Sequence, residues 1–361
     1  MAALPLKIGF AGANVERGWS RDAHFPALKA LPGLTVHAVS ARTQDIADTA
    51  AQAFGAAKAY ADSVELARDP DIDVVAVTVK VPEHQAIVLA ALEAGKHVYC
   101  EWPLARDLAE AKELAEAARK AGTRVAIGLQ GANAVAVRHA AELVADGVIG
   151  KPLSLRVVSS TAGWGKVAPP HYAYLQDRRN GATLGTIAGG HTLAMVEAVV
   201  GAYEEVGAAN SILQREVEIA GTGEMVERTC ADHMLIHGRH TSGCVSNVEI
   251  TSGENLPLVF ELRGSKGNLA IRGHHPGGYQ VGNLEVTTSV AGEPQPASEL
   301  LGLSDAAINV GEVWRRFEND IRTGQRTAPD FDAAVRLTGL LDAIDVASDE
   351  GRNVVPQRDS Y

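Results

Sequence analysis

Through the first 130 residues of the chain, short apolar runs alternate with stretches whose apolar positions recur every three or four residues. The runs LTVHAVSA (34–41), DVVAVTV (73–79), HVYCE (97–101) and RVAIGL (124–129) predict strands buried on both faces. The stretches between them predict helices. DIADTAAQAFG, EHQAIVLAALEAG and DLAEAKELAEAARKAG stop at Gly55, Gly95 and Gly122, where a left-handed residue ends a helix, and Asp107 is placed to cap the third. Strand and helix in repeated order predict a doubly wound parallel sheet with its ligand at the carboxyl ends of the strands.

Beyond residue 130 the pattern changes. One more helix, VAVRHAAELVADG, runs to Gly147, and IGKPLSLRVVSSTAG reads as a long alternating strand. A loop rich in Gly, Pro and aromatics (163–181) leads to a helix from about His191 to Val200, and alternating strands fill about 203 to 288. These predict an α+β domain with an open, mostly antiparallel sheet covered on one face. The stretch from Asn309 to Asp349 is helical, with Trp314, Phe317, Ile321, Leu337, Leu340 and Leu341 at apolar spacings. A length of 361 residues suits two domains, placed here at 1–130 and 131–361. The uncovered sheet face predicts a homodimer or homotetramer.

Composition narrows the function. With 46% hydrophobic and 21% charged residues the chain is globular, and 33 Lys+Arg against 44 Asp+Glu, a net charge of -11, argues against nucleic acid as a partner. Cys100, Cys230 and Cys244 suit reduced thiols, and no Cys/His cluster has metal-ligand spacing, so no metal is expected. No apolar run is long enough for a bilayer, and Met1 to Leu6 is too short for a signal peptide, so the expectation is a cytoplasmic protein without membrane contact.

The opening KIGFAGANVERGWSRDAHFP carries the first candidate chemistry. An apolar strand meets Gly9, Gly12 and Gly18 and then a helical pattern from near His24, an arrangement that brings backbone N–H groups and a helix N-terminus to a pyrophosphate. The spelling departs from G-x-G-x-x-G, with Asn14 at the second glycine and Gly18 late. Gly12, Asn14, Gly18 and Trp19 are the candidate residues of this turn. After the second strand comes Val39-Ser40-Ala41-Arg42-Thr43, with no acid for a ribose. Arg42 offers a guanidinium fork and Ser40 a hydroxyl, so NADP is expected, with NAD as the alternative. An ordinary solvated arginine remains the competing reading of Arg42.

The glycine turn, HFPAL, PEHQ, HVYCEWPLA, GVIGKP, GGHT and RGSKGNL occur in the order found in the Gfo/Idh/MocA oxidoreductases, which the chain resembles over nearly its whole length. G-x-N-x-x-x-G-W in the first turn, Glu-Trp for Glu-Lys, LQG near 130 and GW at 163–164 are similar to the NADP-binding branch of fungal galactose-pathway repressors. The resemblance implies an N-terminal Rossmann domain, a second domain whose sheet face often forms oligomers, and a dinucleotide between them. It also implies cofactor contacts from Val79, Lys80, His84, Glu101, Trp102 and Gln130. Lys80 reads equally as a partner of a cofactor phosphate or a surface lysine, and His84 as a ligand or a helix-start histidine. Glu101 is matched to a ribose hydroxyl. Trp102 stands where the family has a proton-handling lysine; an indole stacks and donates but exchanges no proton near neutral pH.

His191, in GGHT, matches the family histidine that faces the substrate, although Ile187 and Ala194 replace the acids that flank it in the family. Tyr174 and Lys166 are the other candidates for the missing lysine, and Asn133, Trp164, His171 and Tyr172 lie in segments expected to face the cleft. The implied activity is hydride transfer to or from a sugar, sugar lactone or polyol. The alternative is a non-catalytic dinucleotide sensor that acts through protein contact.

Overall fold

The computed structural model describes residues 4–357, so the reading of Met1 to Leu6 falls partly outside them. The chain divides into two compact units, one of Met1–Leu129 with Ser298–Val335, the other of Gln130–Ala297 with Arg336–Tyr361.

In the first unit six strands, β1 (Leu6–Ala11), β2 (Leu34–Ser40), β3 (Lys58–Tyr60), β4 (Val74–Val77), β5 (His97–Glu101) and β6 (Val125–Gly128), form a parallel sheet in the order β3-β2-β1-β4-β5-β6. Order reverses beside β1, the switch point at which such sheets take their ligands. Helices α1 (Phe25–Lys29), α2 (Gln44–Phe54), α3 (Ser63–Ala67), α4 (His84–Glu93) and α5 (Leu108–Ala121) connect them. The caps follow the local chemistry: Asp107 accepts from the Glu110 amide at 2.9 Å, and Gly55 and Gly122 end their helices at φ 73° and 67°. The first helix departs from expectation, since a π-helical turn, Ser20–His24, precedes α1.

The second unit begins with α6 (Gln130–Asn133) and α7 (Val135–Ala145). Strands β7 (Pro152–Thr161), β8 (Val167–Ala168), β9 (Tyr203–Ser211), β10 (Glu216–Ile219), β11 (Met225–Glu227), β12 (His233–His240), β13 (Val245–Ser252), β14 (Leu258–Gly264), β15 (Asn268–Gly273) and β16 (Leu284–Thr288) follow, with α8 (Gly190–Val200) between β8 and β9. Seven of them make a sheet in the order β16-β15-β14-β7-β13-β12-β9, antiparallel except where β7 meets β13. Alternation sends Leu155, Val157, Met234, Ile236, Val248, Ile250, Phe260 and Leu262 to the buried face. The other face exposes Leu235 and Val245 among charged pairs such as Arg272–Glu261.

The domain boundary expected near 130 holds only for the first crossing. Ser298–Val335, assigned by sequence to the second domain, belongs to the first unit. The reason is the apolar stripe of α9 (Asp305–Thr323): Val310, Val313, Trp314 and Phe317 are buried in the same cluster as Phe10, Phe25 and Tyr99, and Trp314 stacks on Tyr99 with centroids 4.3 Å apart. Burying a side chain such as Phe317 contributes roughly 1.5–3 kcal/mol. The division between units falls within the last helix, α10 (Phe331–Glu350). The three cysteines are unbonded and buried, and no helix among the described residues is long and apolar enough to cross a membrane.

Candidate functional site

The glycine turn at the end of β1 is built from the inside. Gly12 has φ 99°, and a Cβ there would meet Val79 Cγ1 at 2.9 Å and the Thr78 carbonyl at 3.2 Å, so no other residue fits. The Gly12 and Ala13 amides both donate to the Ser40 carbonyl, at 3.2 and 2.9 Å, and the Ser20 hydroxyl donates to the Gly12 carbonyl at 3.0 Å. Asn14 replaces a fingerprint glycine and uses its side chain locally: Oδ1 accepts from the Glu16 amide at 2.8 Å and the Arg17 amide at 3.2 Å. What this loop leaves available is Gly18, at φ 109° with open space where a Cβ would stand, and the Trp19 indole N–H, buried without a hydrogen-bond partner. Open space and an orphaned donor beside a helix start fit an anionic dinucleotide.

Two expectations for this unit need correction. Ser40 is fully buried, and its hydroxyl is committed to Ser63 Oγ at 2.8 Å and the Phe10 carbonyl at 3.4 Å, so it offers nothing outward. His84 is equally committed: Nε2 lies 3.1 Å from the Val79 carbonyl, while Nδ1 lies 3.2 Å from the Leu104 carbonyl and 3.3 Å from Cys100 Sγ. Burial pushes the His84 pKa down, and a neutral ring donates at Nε2 to the Val79 carbonyl while Nδ1 accepts from the Cys100 thiol. Arg42 and Lys80, by contrast, are exposed. Trp102 is 6% exposed and joined to Pro103 by a cis peptide bond.

Glu101, at the end of β5, is oriented by a chain of groups that the sequence did not reveal. The Trp314 indole donates to His24 Nδ1 at 3.0 Å, and an indole can only donate. The His24 proton therefore sits on Nε2, which donates to Glu101 Oε1 at 3.0 Å. Gly128 on β6 leaves room for that carboxylate, since a Cβ there would meet Oε1 at 2.6 Å.

In the second unit, a π-helical turn, Gly185–Gly189, which contains Ile187, leads straight into α8 and His191. His191 is 3% exposed, its Nδ1 has no hydrogen-bond partner, and burial lowers its pKa to about 3. Gln130 on α6 is likewise 3% exposed with Oε1 unsatisfied. Tyr279, which the sequence reading passed over, sits between these elements: its hydroxyl donates to the His191 carbonyl, and a Cβ on Gly131 would meet that hydroxyl at 2.9 Å. Only its place after a Gly-Gly pair hinted at a role.

Lys166 is exposed, whereas Tyr174 is half-buried in a short helical turn, Pro170–Gln176, where its carbonyl accepts from Asn180 Nδ2 at 2.8 Å. This loop is anchored by Arg228, also missed from sequence. Fully buried, Arg228 donates to Gln176 Oε1 at 2.9 Å, Asp232 Oδ2 at 2.7 Å and the Gly165 carbonyl at 2.7 Å.

A parallel six-stranded sheet with a glycine turn at its switch point is the architecture of the dinucleotide-binding folds, and here a mixed seven-stranded sheet follows it. Residues 6–129 match the family described as "Oxidoreductase family, NAD-binding Rossmann fold", and residues 136–273 match "Gal80p, C-terminal domain". The chain belongs to the Gfo/Idh/MocA oxidoreductase family. It is 30% identical to the galactose/lactose metabolism regulatory protein GAL80 of Kluyveromyces lactis over 78% of this chain and 67% of that protein. It is also 30% identical to a myo-inositol 2-dehydrogenase of Thermotoga maritima, over 68% of this chain and 70% of the relative. Among solved structures, levoglucosan dehydrogenase in complex with NADH and levoglucosan superposes with a TM-score of 0.82 at 24% identity, covering 98% of this chain and all of that one.

Proposed function

We propose that this protein is an NADP-dependent oxidoreductase acting on a sugar, sugar lactone or polyol, with NAD as the alternative cofactor. The observation that carries the reading is His191, buried and neutral with an Nδ1 that no protein group satisfies. Such a nitrogen is a ready acceptor for a substrate hydroxyl. In the oxidising direction the hydroxyl proton passes to Nδ1 as the hydride leaves for the dinucleotide, when the oxygen becomes acidic enough to protonate a ring with a pKa of about 3, and in the reverse direction the ring returns it. Tyr174 and Lys166 are the other groups that could handle this proton, because Trp102 cannot. Similar proteins named as dehydrogenases of myo-inositol and levoglucosan support the substrate class.

A bound dinucleotide supplies the hydride acceptor or donor. The residues that would hold it are Gly12 and Gly18 with the loop shaped by Asn14, the Trp19 indole N–H, Val79, Lys80, Glu101 and Trp102; Gln130, with its unsatisfied Oε1, is a further candidate. An exposed Arg42 and the lack of an acid after β2 favour a phosphate at the adenosine ribose. The exposed Leu235 and Val245 on one face of the sheet support a homodimer or homotetramer, and the cytoplasm is the setting proposed for it.

A second reading is a non-catalytic sensor. Trp102 in place of lysine, Ile187 and Ala194 in place of acids, and the match to a Gal80p C-terminal domain favour it. Incubation with NADP or NAD and a panel of aldoses, polyols and inositols, read as absorbance of the reduced cofactor, separates the two. Turnover that falls about a hundredfold or more in His191→Ala supports the enzyme. Dinucleotide binding with no turnover on the whole panel, together with a ligand-dependent protein complex, overturns it.

A further inference from the structure

Among the described residues one side-chain-bearing residue has a positive φ: Trp164, at 55°, in the loop after β7. A left-handed backbone costs such a residue roughly 1–2 kcal/mol, and strain of this kind persists only where the surroundings over-determine it. Here they do. The Ser252 hydroxyl donates to the Trp164 carbonyl at 3.2 Å, the Gly253 amide to the Gly163 carbonyl at 2.8 Å, and the Gly163 amide to Thr161 Oγ1 at 3.2 Å. Arg228 holds the next carbonyl, that of Gly165, at 2.7 Å. The Gly165 backbone also packs so closely on Gly253 that a Cβ on Gly253 would meet Gly165 Cα at 3.0 Å. The indole itself is fixed by its N–H, which donates to the Leu175 carbonyl at 3.3 Å. The backbone is thus set and the indole N–H tethered, yet Trp164 is only half-buried, so the core does not account for it.

Its place in the second unit connects it to His191. Trp164 follows the C-terminal end of β7, and Ser252 ends the parallel neighbour β13. Gly189, just before α8, packs on Ile250 of that same strand. The Ala162 amide donates to the Pro276 carbonyl, and Tyr279, three residues further, donates to the His191 carbonyl. One end of one sheet and one short segment therefore carry both the strained tryptophan and the unsatisfied histidine.

We propose that Trp164 is a specificity-determining platform on which a cyclic sugar or cyclitol lays the C–H face of its ring, with Arg228 as the positioning residue for its loop. The inference rests on the carbohydrate reading given above and sharpens it to ring substrates. The C–H face of a saturated ring offers apolar area to an aromatic plane, while the hydroxyls at its rim remain free for polar atoms such as His191 Nδ1. A linear polyol has no flat face and gains less from the same plane.

The test compares levoglucosan and myo-inositol with the linear polyol sorbitol, using the full chain with NADP or NAD, and follows turnover and tryptophan emission. The platform requires ring compounds to perturb the emission more than sorbitol does, with the perturbation lost in Trp164→Phe. It requires Trp164→Ala to weaken half-saturation by the ring compounds about tenfold, with Trp164→Phe recovering most of the loss. Trp164→Gly separates function from folding: glycine takes a positive φ freely, so its unfolding midpoint stays at or above that of Trp164→Ala while ring preference disappears. Turnover of carbohydrates by the wild type with unchanged ring affinity in Trp164→Ala overturns the platform and leaves the enzyme reading intact, as does a wild-type preference for sorbitol. A wild type that neither binds nor turns over any of the three overturns both.

Discussion

In the first unit His24 and His84 have both ring nitrogens engaged by protein groups, whereas in the second His191 is as deeply buried with Nδ1 engaged by none. The second unit is not careless in general, because its His240 bonds the Gly201 carbonyl at 2.7 Å and Ser246 Oγ at 2.8 Å. A satisfied buried histidine is an internal tie; an unsatisfied one gives up stability, and a ligand hydroxyl would restore the missing bond. The first unit has unsatisfied buried atoms as well, among them His37 Nε2, Tyr99 Oη, Glu110 Oε1 and Trp19 Nε1, of which the last stands in the glycine loop. In each unit at least one unsatisfied group, Trp19 Nε1 in the first and His191 Nδ1 in the second, falls in a segment that the family resemblance associates with a ligand.

The comparison is broken most easily at the groups that hold each region rigid. Arg228→Met strands the Asp232 carboxylate in the interior, and we expect a loss of about 3–5 kcal/mol in urea unfolding. Leucine substitutions at the two contrasting histidines sharpen the contrast. His84→Leu abandons the Val79 carbonyl and the Cys100 thiol and should cost about 1–3 kcal/mol, whereas His191→Leu abandons no partner at Nδ1 and should cost clearly less. Equal losses at both sites would remove the distinction on which the functional reading depends.

Acid separates the same two variants. His191 has its pKa lowered from 6.5 to about 3, so between those values the unfolded chain binds a proton that the folded chain refuses. Its contribution is complete above pH 6.5 and is lost as the pH falls toward 3, at about 1.4 kcal/mol per unit. His84 and His240, also lowered by burial, act in the same direction. Urea midpoints at pH 7 and pH 5 should differ less in His191→Leu than in the wild type. The smallest effect belongs to the glycine loop: Asn14→Ala releases the amides of Glu16 and Arg17, which should cost about 1 kcal/mol and weaken dinucleotide binding measured by calorimetry.

Much of the fold was legible because it is written locally. The parallel strands, the glycine stops at Gly55 and Gly122 and the Asp107 cap depend on residues a few positions apart. The return of α9 to the first unit was not legible, since an apolar stripe says that a helix must be covered without saying by what. The candidate site divides in the same way. His191 and the glycine turn could be picked out from their neighbours in sequence. That Ser40 turns inward to Ser63, that Trp314 fixes His24 from 290 residues away, and that Arg228 and Tyr279 brace the second unit are facts of long-range pairing.

The amino-acid order alone determined a doubly wound opening, a mostly antiparallel second sheet and a short set of polar residues that are candidates for a site. Periodicity and capping act over one or two turns, so they survive in any linear reading. Only the tertiary structure decided which of those polar groups were already satisfied by the protein and which were left open. Satisfaction is a property of partners brought together from distant parts of the chain, and a sequence does not display who those partners are.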